Sequence, residues 1–232
     1  MPPETQPAPA QKGHTPDGTP GRKKSSASGL KNSLRKTLKP KTTVDVTQRP
    51  IALVGLMGVG KTTVGRRLSK ALDLPFYDSD EEIELASGRT VAGYFRDHGE
   101  SAFRDGERRV IERLLSGTPM VLSTGGGAFI PEDTRAILQN GALTIFLKGE
   151  FETIMRRVRK KDTRPLLQVA DPRAALKELM DHRYPIYAQA DITVKIAKGP
   201  HNRTVNKVIR AIEQYYVEAK QEHPGTKKDG TS

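Results

Sequence analysis

A few short stretches of this 232-residue chain combine residue types that can handle a phosphate and a small acceptor. The first is Ile51-Ala-Leu-Val-Gly-Leu-Met-Gly-Val-Gly-Lys-Thr-Thr63, an apolar run that breaks into glycines and then enters a helical pattern. Its core, Gly55 to Thr62, matches the phosphate-binding loop pattern G-x-x-x-x-G-K-[ST]. Glycines at that spacing let successive backbone N–H groups converge on phosphate oxygens, and the helix that follows adds the positive end of its dipole. In such a loop Lys61 reaches the β- and γ-phosphates and Thr62 reaches Mg²⁺. The second stretch is Asp78-Ser-Asp80 at the end of an apolar run. Two carboxylates two residues apart can divide labour, one toward Mg²⁺ and one toward an acceptor hydroxyl. Ser79 or Asp80 could equally cap the helix containing Glu81-Glu-Ile-Glu84. The third is Thr124-Gly125-Gly-Gly127, again after an apolar run. Three glycines without side chains let backbone N–H groups approach a ligand directly, at a conformational-entropy cost that a merely flexible connection would not need.

Arg104 in Phe103-Arg104 and Arg183 in Arg183-Tyr-Pro-Ile-Tyr187 carry planar forks that suit a carboxylate held at two points. By themselves either could be a surface salt-bridge residue. Arg159–Pro172 is a long basic connection, readable as a mobile lid beside a phosphate site or as a solvated charge run. The run before Ser123-Thr124 ends without the acid that many phosphate-loop enzymes place there for Mg²⁺, so Asp78 is the natural substitute. The five histidines show no ligand spacing and receive no metal or base role.

These stretches need a scaffold, and the pattern supplies one. Apolar strands alternate with amphipathic helices from Ile51 onward, which predicts an α/β domain: a parallel sheet with helices on both faces, in three layers. Five strands are expected at Ile51–Gly55, Pro75–Asp78, Pro119–Ser123, Ala142–Leu147 and Asp191–Ile196. Helices are expected at Lys61–Leu72, once or twice across Glu81–Ser116 with a start near Gly99, and at Pro131–Asn140, Phe151–Lys160, Pro172–Ala188 and Thr204–Ala219. In an open parallel sheet, ligands collect beyond the carboxyl ends of the strands, where all three glycine- or acid-bearing stretches fall.

Residues 1–49 form a basic N-terminal tail too poor in apolar residues to offset ordering entropy, residues 50–219 form the domain, and residues 220–232 are a polar C-terminal tail. Through Pro50 the chain carries ten Lys/Arg against three acids, so the segment supplies +7 of the +12 net charge. Leu30, Leu34 and Leu38 are spaced for a thin helical stripe in the tail, readable as a docking or membrane-surface segment, although a solvated linker is the preferred reading. The remaining charge is spread without aromatic interleaving, which gives no support for nucleic-acid binding. There is no cysteine, which excludes disulfides and thiolate metal sites and suits the cytoplasm. No apolar run approaches the roughly 20 residues of a membrane span, and the N-terminus lacks the features of a secretory signal.

Gly55–Thr63, Asp78-Ser-Asp80, Phe103-Arg104, Gly125-Gly-Gly127, Arg164-Pro-Leu-Leu167 and Arg183-x-x-x-Tyr187 resemble the shikimate kinase family, in this order and at similar spacing, over about Ile51 to Gln214. The resemblance implies a nucleoside-monophosphate-kinase type of phosphate-loop fold with strand order 2-3-1-4-5 and a lid. It implies transfer of the ATP γ-phosphate to the 3-hydroxyl of shikimate, with Mg²⁺ as cofactor, on the route to chorismate and the aromatic amino acids. Gly58, Val59, Gly60, Lys61, Thr62 and Thr63 would hold the nucleotide, and Arg164 would close over it. Thr62 and Asp78 would serve the metal, Asp78 through water. Asp80 would bind the ring hydroxyls, while Arg104, Arg183 and the glycines Gly125, Gly126 and Gly127 would hold the carboxylate side. Catalysis would rest on Lys61, Asp80 and Arg164. The loop Lys198–Arg203 departs from the family pattern, leaving the adenine contact open. ATP and shikimate are the expected partners of a cytoplasmic monomer that engages neither nucleic acid nor membrane. The rivals are a gluconate or nucleotide kinase of the same fold and a silent ATP-binding module.

Overall fold

A computed structural model describes residues 48–159, 169–196, 199 and 201–222. The expected tail over residues 1–47, with its leucine stripe, lies outside the described residues, as do most of the expected lid, including Arg164, and residues 223–232.

The sheet is built from β1 (Ile51–Val54), β2 (Phe76–Asp78), β3 (Val121–Ser123), β4 (Leu143–Gly149) and β5 (Ile192–Ile196). All five strands are parallel, in the expected order β2-β3-β1-β4-β5. Every residue of β1 and β3 is buried, which explains why these strands read as unbroken apolar runs rather than as alternation. The edge strand β5 does alternate, burying Ile192, Val194 and Ile196 and exposing Thr193 and Lys195. Register puts Leu53 level with Ser123 and Ser123 level with Asp78, so the carboxyl ends of β1, β3 and β2 finish side by side. The three loops that carry the glycines and acids therefore leave the sheet at one end, beyond the carboxyl ends of its strands.

Seven helices connect and cover these strands among the described residues: α1 (Lys61–Leu72), α2 (Ser79–Ser87), α3 (Val91–Leu115), α4 (Glu132–Gly141), α5 (Phe151–Arg159), α6 (Pro172–Tyr187) and α7 (His201–Glu222). α1 packs against α7, α3 against α4 and α5 against α6. Asp73, at φ 59°, ends α1 in the left-handed conformation, and Gly88, at φ 64°, ends α2 the same way. Within α3, Gly99 has φ 79° and ψ 175°, so the helix is broken there and restarts at Glu100, where the sequence places a beginning. α7 starts three residues earlier than expected and runs past Ala219 to Glu222. His201, Asn202 and Arg203, expected in a loop, thus form its first turn. The central core gathers Leu53, Leu122, Phe129, Leu143, Phe146 and Tyr187 between the layers.

Candidate active site

Gly60 caps α1 with φ 96° and ψ 31°, a backbone region that residues with a Cβ rarely adopt, so the turn into the helix depends on glycine at this position. The buried Lys61 side chain folds across the loop, its ammonium donating to the carbonyls of Gly55 (2.7 Å) and Leu56 (3.1 Å). Two residues that the sequence reading did not single out brace the same loop. Arg157 of α5 donates from Nη1 to the Val59 carbonyl at 2.7 Å, and burial together with the neighbouring Arg156 charge lowers its pKa. The His201 ring lies beside Gly60, where a Cβ would come within 3.4 Å of Cε1. Burial, Arg157 and Arg67 push this imidazole below its usual value. No sequence signal separates Arg157 from Arg156 and Arg159 in the same basic run.

Asp78 ends β2 and caps α2, so the capping role falls on the first aspartate rather than on Ser79 or Asp80. Its Oδ1 accepts the Asp80 N–H at 3.1 Å, and its Oδ2 accepts the Thr62 hydroxyl at 2.8 Å. One carboxylate thereby ties the phosphate loop to the second acidic stretch. Ser123, which occupies the position where an acid was looked for, stands 3.5 Å from the Thr62 hydroxyl. The Ser79 hydroxyl instead accepts the N–H of Gly125 at 2.8 Å, joining the acidic stretch to the triple glycine.

The glycines serve side-chain approach. A Cβ on Gly125 would sit 2.7 Å from Asp80 Oδ1 and 2.8 Å from Glu107 Oε1, and one on Gly127 would overlap the Arg104 guanidinium, 2.7 Å from Nη1. Bare Cα atoms let two carboxylates and a guanidinium press against the turn. Asp80 is pushed above the usual carboxylate range, first by burial and then by Asp78, with Lys61 and Arg104 pulling in the opposite direction. Arg104 is held by Glu107 at 2.6 Å and Glu100 at 3.3 Å, so it is not an isolated surface arginine.

Glu107 is 1% exposed, and its Oε1 has no hydrogen-bond partner among the described residues. Burial raises its carboxyl too. Sequence alone gave Glu107 no role, although its opposite charge three residues after Arg104 on a helix is a usable signal. Glu107→Gln removes the charge that orients Arg104, so on the acceptor-binding role that the resemblance implies for Arg104, KM for the acceptor should rise about tenfold, the equivalent of one charge-assisted hydrogen bond. KM for ATP should hold. Parallel rises in both constants would show a general loosening instead.

Arg183 and Tyr187, both on α6, reach the same turn from the other side. Arg183 Nη1 donates to the Gly126 carbonyl at 3.4 Å, and the Tyr187 hydroxyl donates to the same oxygen. Arg104 and Arg183, separated by 79 positions in the chain, therefore flank adjacent glycines. The structure brings together Gly58, Val59, Gly60, Lys61, Thr62, Asp78, Asp80, Arg104, Gly125, Gly126, Gly127 and Arg183 at one end of the sheet, with Thr63 one residue further along α1. No group of three or more His, Asp or Glu among the described residues is placed to hold a metal ion by itself.

The arrangement has close relatives. The family model for shikimate kinase matches residues 57–213. A shikimate kinase of Bradyrhizobium diazoefficiens is 50% identical over 167 residues, 72% of this chain and 81% of its own. One of Nitrobacter winogradskyi is 54% identical over 161 residues, 69% of this chain and 75% of its own. The solved shikimate kinase of Acinetobacter baumannii, in complex with shikimate, superposes with a TM-score of 0.68 at 36% identity, covering 75% of this chain and 96% of its own. A phosphate loop, an acidic pair and a triple glycine braced by two arginines thus stand in a chain whose family-model match spans most of the domain, and this chain belongs to the shikimate kinase family.

Proposed function

We propose that this chain, as an ATP-dependent kinase of its family, transfers the ATP γ-phosphoryl group to the 3-hydroxyl of shikimate, with the following division of labour. Phosphoryl transfer needs little covalent help from a protein, so the work is positioning and electrostatics. The backbone of Gly58 to Thr63 cradles the phosphates, and Lys61 turns from the carbonyls of Gly55 and Leu56 toward the β- and γ-oxygens. The hard oxygen donors Thr62 Oγ1 and Asp78 Oδ2 lie 2.8 Å apart at the loop and suit Mg²⁺, which takes one or two protein oxygens and keeps its remaining positions for water and phosphate. When bound, Mg²⁺ supplies charge neutralisation at the β- and γ-phosphates.

Asp80 accepts a hydrogen bond from the acceptor hydroxyl and takes its proton; its raised pKa suits a base. Arg104, steadied by Glu107, and Arg183 hold the acceptor carboxylate; for Arg164, outside the described residues, the nucleotide role rests on the family resemblance. The observation that carries this reading is the convergence of Asp80 and Arg104 on Gly125 and Gly127. A hydroxyl-reading carboxylate and a carboxylate-reading guanidinium then stand within one small acceptor's length of each other.

The kinase domain is taken as residues 50–219, to which the last helix adds residues up to Glu222. Exposed large apolar side chains among the described residues are scattered singly, at Tyr77, Leu85, Val169 and Val217, which supports a monomer. No helix among the described residues is long and apolar enough to cross a membrane, and a chain without cysteine is compatible with a reducing compartment such as the cytoplasm. A coupled assay of ADP release with shikimate, gluconate and nucleoside monophosphates tests the substrate. Turnover with shikimate alone is expected, and a preference for either of the others would displace the assignment.

A further inference from the structure

Tyr187 ends α6 completely buried, and nothing in the reaction as described uses it. Its ring is fixed among other aromatics, 5.2 Å from Phe146 and 6.5 Å from Phe129 between centroids. A buried tyrosine needs a partner for its hydroxyl, and a core residue of this kind ordinarily finds the nearest carbonyl. The carbonyl chosen here is that of Gly126, the middle of three consecutive glycines. Arg183 donates to the same carbonyl, and its charge stands close to the phenol.

The choice of partner has a mechanical consequence. Three glycines in a row are the most permissive backbone a chain can offer, so the turn needs a restraint from outside to hold one shape. The peptide unit is planar, and a carbonyl pinned by a rigid side chain therefore fixes the whole Gly126–Gly127 plane. Gly125 on one side carries the close approach of Asp80 and Glu107, and Gly127 on the other carries Arg104. Rotation of the Gly126 carbonyl would change the separation of these two groups.

We infer that Tyr187 is a positioning residue for acceptor binding: its hydroxyl locks the Gly126 peptide and thereby the spacing between the Asp80 and Arg104 sides of the acceptor site. The inference rests on the reading that the acceptor binds at the triple glycine. Tyr187 touches no reacting atom; it acts through the turn. The anchor belongs to α6 and the aromatic core, so the acceptor site takes its shape from the packed body of the domain rather than from the glycines themselves.

Tyr187→Phe tests this, since it keeps the ring contacts and deletes one oxygen. KM for shikimate should rise about tenfold, with KM for ATP changed by less than about twofold. In an Arg183→Ala background the same change should still raise it about tenfold or more, because Tyr187 then supplies the remaining side-chain bond to that carbonyl among the described residues. Backbone amide signals of Gly125 to Gly127 in ¹⁵N spectra should broaden or double in the Phe variant. A lower melting temperature with an unchanged shikimate KM and sharp single glycine signals would reduce Tyr187 to a core tyrosine and overturn the inference. Arg104→Ala run alongside separates the two levels. If it raises the shikimate KM while Tyr187→Phe does not, the inference alone falls; if neither variant moves it, the acceptor-site reading falls as well.

Discussion

Asp80→Asn is expected to lower kcat by about 10²–10³-fold, within the range for loss of a general base, while raising the melting temperature of the free protein at neutral pH. The two effects share one cause. Burial and the nearby Asp78 hold the Asp80 carboxyl above its ordinary value, so the folded state binds its proton more tightly than the unfolded chain does. Stability therefore falls as pH rises from the ordinary aspartate value, and the cost is fully present once pH exceeds the folded value. Asparagine is neutral throughout and removes that cost at pH 7. Below about pH 4 both states of the native protein are protonated, so the stability advantage of the variant should vanish there. Thermal melts across that range, with steady-state kinetics at neutral pH, check both halves. A variant that loses activity and stability together would make Asp80 a structural carboxylate. The same raised value predicts that kcat/KM for shikimate falls with decreasing pH along a limb lying above the usual aspartate range.

Lys61→Met should also lower kcat by about 10²–10³-fold, the scale measured when one preorganised donor is taken from a developing charge. Here the stability change has the opposite sign. In the free protein the ammonium is a donor to the carbonyls of Gly55 and Leu56 inside a buried loop. Methionine fills similar space and satisfies neither carbonyl, at a cost of about 1–3 kcal/mol for a buried polar group left unmatched. Its melting temperature should fall. ATP affinity should weaken less than kcat, because the lysine contributes most when charge builds on the transferred group. Near wild-type turnover would remove the loop from the mechanism. The contrast expected between the two variants, inactive but stabilised and inactive but destabilised, distinguishes a carboxylate buried at a cost to folding from a cation satisfied in its loop.

Much of this was readable from residue types because the physics is local. The phosphate loop needs glycine where φ is positive, and the buried strands β1 and β3 need unbroken apolar runs, so both declared themselves in sequence. Gly99 marked a helix restart because only glycine holds φ 79° without strain. Other features depend on contacts between distant segments. Asp78 rather than Ser79 or Asp80 became the cap because its carboxylate also had to meet Thr62 across the sheet edge. His201 joined α7 and came to rest beside Gly60, a neighbour 141 positions earlier in the chain, which no periodicity encodes. The triple glycine was recognised as a place of close approach, but the approaching groups are carboxylates and a guanidinium as much as any ligand. Strand order came only from the resemblance, since alternation of strands and helices fixes parallel pairing but not which strands are neighbours.

The central claim is that Asp80 and Arg104 frame one acceptor, with Arg104 reading its carboxylate. A thermodynamic cycle between residue and ligand measures this most directly: binding of shikimate and of its methyl ester to the wild type and to Arg104→Ala, by calorimetry, in the presence of a non-hydrolysable ATP analogue. The acid should lose about 2–4 kcal/mol on mutation, the range for one partner of a desolvated charge pair left unmatched. The ester, already lacking the charge, should bind the wild type poorly and lose much less, giving a coupling energy well above the error of the cycle. Affinity for the nucleotide analogue should be the same in both proteins. Equal losses for acid and ester would mean that Arg104 does not read the carboxylate, and the placement of shikimate against the triple glycine would be contradicted.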